Sequence, residues 1–187
     1  MFEQSGSLWA LSASGWLVGE IWKFTNRDWL LFLWHTNHEL KKITFPASPT
    51  IHKLNNLGQF VGSMEMLDLR DPYRETYGVI NVAFLSSPDL GVIQLSNHEK
   101  NADAFGINDK SEVVGFIDVR SPFEFGADER AFIYDNKNGR RELNSLISPD
   151  SGWDTLERAF EISDNGSILG KGKFHGVEQY FLLTPKK

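Results

Sequence analysis

Cysteine is absent from the 187-residue sequence, which excludes disulfide bonds, thiolate metal sites and a cysteine nucleophile. Basic residues are in the minority, with 19 Lys and Arg against 25 Asp and Glu and a formal net charge of −6. Nucleic acids and anionic membranes attract basic patches, so the charge argues against both as partners. The longest apolar run, residues 29–34, is far too short to cross a bilayer, and we expect no membrane insertion.

Helical periodicity is also scarce. Residues 154–160 are the best helix candidate, and this stretch is too short to indicate a stable helix. The hydrophobic fraction of 41% and the aromatic fraction of 13% are high enough for a packed core and unlike those of a disordered chain. The composition therefore predicts one all-β domain covering residues 1–187.

What the sequence does contain is one short phrase, repeated four times. The copies occupy residues 8–19, 51–62, 104–115 and 159–170. Each copy holds a small polar residue and then a turn residue, followed by an apolar pair and a closing glycine. Repetition at intervals of roughly 40–55 residues indicates a stack of like units, as in the blades of a propeller.

Each copy predicts a strand, a tight turn and a second strand. The small polar residues bond their own backbone, and glycine takes the positive φ that such turns require. The polar residues are Ser12, Asn55, Asn108 and Ser163, and the turn residues are Gly15, Gly58, Ser111 and Gly166. Because Ser111 replaces glycine, we expect strain or a different loop in the third copy.

The closing glycines interrupt a strand, where glycine usually marks a bulge or the close approach of another backbone. They are Gly19, Gly62, Gly115 and Gly170. We expect them to face a crowded axis.

Further strands follow each hairpin. A third, apolar strand is predicted at residues 29–34, 79–85, 131–134 and 179–183, and a weaker fourth strand at residues 40–43, 92–95 and 143–146. The fourth copy has no such strand, and residues 2–5 are a candidate to supply it and so close a ring.

The predicted fold is a small β-propeller of about four blades, with repeats at residues 7–44, 50–96, 103–147 and 158–185. The alternatives are four turns of one open sheet or part of a larger ring completed by another chain.

The third copy resembles the HAF repeat family, a bacterial group described as extracellular repeats. Residues 104–115, AFGINDKSEVVG, are similar to that family's A-x-G-I-N-D-x-G-x-V-V-G, and residues 130–134, RAFIY, to its H-A-F-L-W. Residues 143–146 are similar to its D-L-x-x-L segment. The resemblance implies a β-propeller-like fold, an extracellular or secreted location and no catalytic residues. The start of the sequence shows no basic signal-peptide segment, so we expect no signal peptide of the usual kind.

Two long loops, residues 63–78 and 116–129, are the predicted contact surface. Both mix arginine with aromatic residues, the types enriched at interface hot spots, and loops on a rigid scaffold commonly carry binding. With one tryptophan from a connector, the candidates are Arg70, Tyr73, Arg74, Tyr77, Arg120, Phe123, Phe125 and Trp153. The alternative is that these loops are variable and their aromatic residues pack locally.

No catalytic or metal-binding motif is recognisable. His35 and His38 lack the order of a zinc-protease helix and are predicted to be solvated turn residues. Residues 135–139 lack the ligand spacing of an EF-hand. We therefore predict no metal, no cofactor and no enzymatic activity.

The predicted function is a non-catalytic binding module with a protein partner, and the oligomeric state is left open. One alternative is a carbohydrate-binding propeller that uses the tryptophans of the first copy, although these also suit core filling. Those residues are Trp9, Trp16, Trp22, Trp29 and Trp34. Another alternative is a hydrolase or lyase with carboxylates at the axis.

Overall fold

The computed structural model of the chain describes residues 4–23, 28–47, 49–67, 79–96, 101–119 and 128–186. Within these ranges the chain forms fifteen β-strands and two short 3₁₀ helices. The strands form four antiparallel sheets, one for each copy of the repeated phrase, and each sheet keeps its strands in chain order. The all-β prediction and the fourfold repeat are confirmed.

The first sheet comprises β1 (Gln4–Leu11), β2 (Trp16–Lys23), β3 (Asp28–His35) and β4 (His38–Ile43). The second comprises β5 (Pro49–Leu54), β6 (Phe60–Leu67), β7 (Val79–Ser87) and β8 (Gly91–Gln94). The third comprises β9 (Ala102–Ile107), β10 (Val113–Asp118), β11 (Glu129–Asp135) and β12 (Gly139–Glu142). The fourth comprises β13 (Trp153–Ile162), β14 (Ile168–Phe174) and β15 (Val177–Leu183). The 3₁₀ helices span Leu143–Leu146 and Pro149–Ser151.

Successive sheets pack face to face. The first buried cluster joins Val18 and Leu33 of the first sheet to the second sheet, where Phe60 and Phe84 lie. Two equivalent clusters follow between the second and third sheets and between the third and fourth. The middle sheets are therefore apolar on both faces, because each has a neighbour on either side.

Two sequence predictions are wrong in this part of the fold. Residues 143–146 form a 3₁₀ helix rather than a strand, and the preceding strand β12 ends at Glu142. Leu143 is buried in the third cluster, and the side-chain oxygen of Asn144 accepts a 2.7 Å hydrogen bond from the Leu156 amide. These contacts favour a turn over an extended strand.

Within the proposed segment 2–5, the described residues Gln4 and Ser5 do not complete the fourth sheet. Gln4 and Ser5 belong to β1, where they pair with Lys23 and Trp22 of β2. The fourth sheet has three strands among the described residues. The part of the N-terminal segment that the structure describes is therefore already occupied in the first sheet.

The hairpin turns follow the predicted chemistry, including the exception. Gly15, Gly58 and Gly166 have φ of 94°, 74° and 84°, and Ser111 adopts the same left-handed conformation at 64°. The Asn108 side-chain oxygen accepts from the Lys110 and Glu112 amides and holds this loop. The third copy thus keeps the common loop and carries backbone strain at Ser111.

The closing glycines lie at a bulge in every sheet, as predicted. At each one a shift of register separates the pair formed by the glycine from the next pair of the ladder. A Cβ atom at Gly115 would overlap the carbonyl oxygen of Asp103, and one at Gly62 would overlap that of Thr50. In both cases the close neighbour is the first strand of the same sheet. Glycine is therefore required by this close approach, and not by the crowded axis that we expected from the sequence.

Candidate functional site

Seven of the eight candidate contact residues lie outside the described residues. They are Arg70, Tyr73, Arg74, Tyr77, Arg120, Phe123 and Phe125. The strands that flank them are described: β6 and β7 pair as far as Leu67 and Val79, and β10 and β11 as far as Asp118 and Glu129. The contact role of these seven residues stays a prediction.

Trp153 is the eighth candidate, and it opens β13 rather than lying in a connector. Its ring meets those of Phe174 and Phe181 edge-on, with centroids 5.3 and 5.6 Å away. The half-buried indole therefore packs within the fourth sheet, and its role toward a partner also stays a prediction.

The first-copy tryptophans divide between packing and exposure. Trp9 and Trp16 pack against the first buried cluster, as core filling predicts, whereas Trp34 is exposed. Trp22 and Trp29 pair across β2 and β3. Two of the three indoles described in this group thus serve packing.

His35 is not the solvated turn residue that the sequence predicted. It is buried, its ring lies 4.7 Å from that of Trp16, and its Nδ1 accepts from the Asn37 amide. Nε2 therefore carries the proton and donates a 2.9 Å hydrogen bond to the Ser14 carbonyl. The imidazole therefore links the turn between β3 and β4 to the turn between β1 and β2.

The four hairpin turns surround one polar cleft of about 350 Å³. Residues of all four copies line it: Leu11, Ser12, Ala13, Lys53, Leu54, Asn55, Asn56, Ile107, Asn108, Asp109, Glu161, Ile162, Ser163 and Asp164. All four copies therefore contribute residues to one cleft at their turn ends. The sequence predicts ligands at the opposite, long-loop face and does not predict this cleft.

Side-chain hydrogen bonds join the second turn to the third and the third turn to the fourth. Asn55 Nδ2 donates to the Asn108 carbonyl at 2.9 Å, and Asn108 Nδ2 donates to the Ser163 carbonyl at 3.0 Å. Both asparagines are buried. In the second and third copies, the small polar residue therefore holds its own turn and also bonds the following turn.

The residue after the small polar position forms a second set of hydrogen bonds between neighbouring turns. Asn56 Oδ1 accepts from the Ser14 amide, Asp109 Oδ1 from the Asn56 amide and Asp164 Oδ1 from the Asp109 amide, at 2.8–3.0 Å. Ala13 occupies the matching position of the first copy and has no such acceptor. These side-chain oxygens are engaged in positioning backbone groups.

A column of aromatic side chains lies along the first strands of the sheets, and the sequence analysis did not predict it. The bulges leave Trp9, His52, Phe105 and Phe160 as the extra, unpaired residues beside the closing glycines. Ring centroids of His52 and Phe105 lie 5.1 Å apart, and those of Phe105 and Phe160 6.1 Å apart. All four residues are the second residue of their copy, so alignment of the copies shows an aromatic ring at this position in each. The bulge changes the direction of this side chain and so brings rings of different sheets together.

Polar contacts and ion pairs lie close to these residues. His52 Nε2 lies 3.0 Å from Asp103 Oδ2, and Lys53 Nζ lies 2.9 Å from Glu161 Oε1, which joins the second and fourth units. Arg158 binds both carboxylate oxygens of Glu129. That hydrogen bonding is the main reason why the pKa of Arg158 is raised, with burial acting in the opposite direction.

The Arg158 guanidinium also lies over the Phe116 ring, 4.4 Å from its centroid. It thereby ties the first strand of the fourth sheet to the middle of the third. Nearby, Asp103 Oδ1 is buried without a hydrogen-bond partner. The arrangement holds adjacent units in a fixed register.

Within the described ranges, no three or more His, Asp and Glu side chains are grouped so that they could hold a metal ion. In the same residues no helix is long and apolar enough to cross a membrane. Comparison of the chain with protein-family models, with curated proteins and with solved structures found no match.

Proposed function

We propose that the chain is a non-catalytic binding module, a small propeller-like array of four units whose partner is another protein. The observation that carries this proposal is where the strands end that flank the two arginine- and aromatic-rich segments. Residues 68–78 connect β6 to β7, and residues 120–127 connect β10 toward β11. β6 and β10 follow turns whose residues line the cleft, and they pair with β7 and β11 as far as Leu67–Val79 and Asp118–Glu129, at the far ends of two sheets that pack together.

The ends of these strands are suited to an apolar contact. Leu67 and Val79 pair across β6 and β7 at the last described position, and both side chains are exposed. Exposed apolar residues beside arginine and tyrosine are typical of interface cores rather than of free surface. In the sequence, Arg70, Tyr73, Arg74 and Tyr77 lie between Leu67 and Val79, and Arg120, Phe123 and Phe125 lie between Asp118 and Glu129.

The recurring residues support a scaffold role. Asn55 and Asn108 hold turns, Asp109 and Asp164 accept backbone amides, and Glu161 pairs with Lys53. Because these polar groups of the cleft are used within the protein, we favour binding at the long-loop end over catalysis at the axis. The resemblance to HAF repeats supports the propeller architecture and an extracellular or secreted setting.

The test is partner capture by three forms of the chain. Wild type and an R74A/F125A double variant are compared with a control, L57A/K110A, which removes one apolar and one basic side chain from the same two units at their turn ends. Leu57 and Lys110 are exposed, so the control also removes surface side chains, away from the long loops. We expect wild type and control to recover the same partner and the double variant to lose at least about tenfold. Equal recovery by all three forms would refute the long-loop surface.

A further inference from the structure

The fourth sheet exposes an apolar face that the other sheets bury. Phe84 in the second sheet and Phe181 in the fourth both lie opposite a closing glycine, which sets the register between the two. Leu85 follows Phe84 and is 1% exposed, whereas Leu182 follows Phe181 and is 67% exposed. Tyr180, which matches the buried Ala83, is 76% exposed. We call Leu169, Tyr180 and Leu182 the fourth-sheet face.

The first sheet exposes the complementary surface. In the second to fourth sheets, the first strand packs on the preceding sheet: Ala104 and Ile107 of β9, for instance, are buried against the second sheet. The matching residues of β1 are Leu8 and Leu11, which are 69% and 71% exposed. We call these two residues the first-sheet face.

These two faces are the two halves of an interface that the molecule already forms three times. In each internal interface, the residues matching the fourth-sheet face contact the residues matching the first-sheet face of the next unit. The fourth-sheet face and the first-sheet face are therefore both exposed, although the matching residues inside the array are buried. Exposed apolar patches of this kind are typical of interaction sites.

We propose that the fourth-sheet face binds the first-sheet face of a second copy of this chain. The first and fourth sheets of one chain both reach the turn cleft, yet Leu8, Leu11 and Leu182 stay exposed, so the chain's own β1 does not cover the fourth-sheet face. A second copy supplies an apolar surface at the matching position of the repeat, because it carries the same first sheet. The contact is head-to-tail, and it ends in a ring if the rotation closes or continues as a filament if it does not.

The experiment measures the mass of the chain in solution by light scattering after size-exclusion chromatography. Wild type is compared with L182K and L8E, which place opposite charges on the two faces, and with L90K. Leu90 lies in the turn after β7 and has the same 67% exposure as Leu182, so L90K is a matched control for surface charge. All three positions are exposed, and near-ultraviolet circular dichroism of each variant verifies folding.

We expect wild type and L90K to associate above the chain mass of 21.3 kDa, and L182K and L8E to lose association by roughly a hundredfold. An equimolar mixture of L182K and L8E recovers it, because Leu182 of the L8E chain meets Leu8 of the L182K chain. In the contact of the opposite order, the two introduced side chains meet, and their charges are opposite in sign.

Three results would overturn the proposal. Wild type could remain a single chain at every concentration, L182K and L8E could associate as wild type does, or their mixture could fail to associate. None of these bears on partner capture by the long-loop end, which uses different residues.

Discussion

Leu85 and Leu182 hold the same position in the second and fourth sheets, yet one is buried and the other exposed. Both follow a phenylalanine that packs opposite a closing glycine, and both point to the same side of their sheet. The second sheet has a third sheet packed on that side, and the fourth sheet has no described neighbour there. In a repeat protein the sequence of a unit determines which face is apolar, and the adjacent unit determines whether that face is buried.

The largest effect is expected inside the array, from Gly115→Ala. The added Cβ atom would overlap the Asp103 carbonyl oxygen, so the bulge between β9 and β10 must open. We expect a loss of about 4 kcal/mol in the free energy of unfolding, measured by urea denaturation. Gly139→Ala is the control: its Cβ meets no atom within 4 Å, and its positive φ alone costs about 1 kcal/mol. Similar losses for the two variants would contradict the close approach at Gly115.

The leucine pair tests the comparison itself. We expect Leu85→Ala to lower the free energy of unfolding by about 3 kcal/mol, because it leaves a cavity between the second and third sheets. The same change at the exposed Leu182 should cost less than about 0.5 kcal/mol at a protein concentration where the chain is a monomer. Equal costs at the two positions, again from urea denaturation, would show that Leu182 is buried within a single chain.

A smaller difference is expected between the turns of the third and fourth copies. Asn108→Ala removes the bond to the Ser163 carbonyl and leaves the Lys110 and Glu112 amides without their acceptor, so we expect a loss of about 2–3 kcal/mol. Ser163→Ala removes bonds within its own turn only, and we expect about 1 kcal/mol or less. Thermal unfolding of both variants checks the order; a larger cost at Ser163 would mean that the hydrogen bonds between turns contribute little.

The smallest effect is a gain in stability at the third turn. Ser111→Gly relieves the left-handed backbone of Ser111 but loses its hydroxyl bond to the Gln59 side chain, 2.8 Å long. We expect a net stabilisation below about 1 kcal/mol, because the greater freedom of glycine in the unfolded chain offsets part of the relief. A rise in melting temperature of a few degrees or less would agree. A clear fall would mean that the bond to Gln59 outweighs the strain.

The strands and turns could be predicted from the sequence because their causes are local. Gly58 supplies a positive φ, Asn55 holds the turn, and the apolar pairs mark strands whatever lies around them. The close approach at Gly62 was predictable for a similar reason, since only glycine fits there. Residues 143–146 show the limit: their apolar ends suggest a strand, and burial of Leu143 against the next sheet makes them a 3₁₀ turn.

The candidate site was less predictable because its contacts join residues that are far apart in the sequence, some within one unit and some in different units. His35 is hydrogen-bonded to Ser14, which lies in a different turn of the same sheet. Trp153 packs on residues of β14 and β15. The column of His52, Phe105 and Phe160 depends on bulges that aim these side chains toward one another. Alignment of the four copies shows an aromatic residue at this position in each, but their meeting requires the packing of the sheets.

A crystal structure of the wild-type chain, at a concentration where it associates, tests the central claim most directly. The expected result is four sheets packed in chain order, with Tyr180 and Leu182 of one copy against Leu8 and Leu11 of another. Contact of these faces within a single chain, or their exposure to solvent in every copy, would contradict the account.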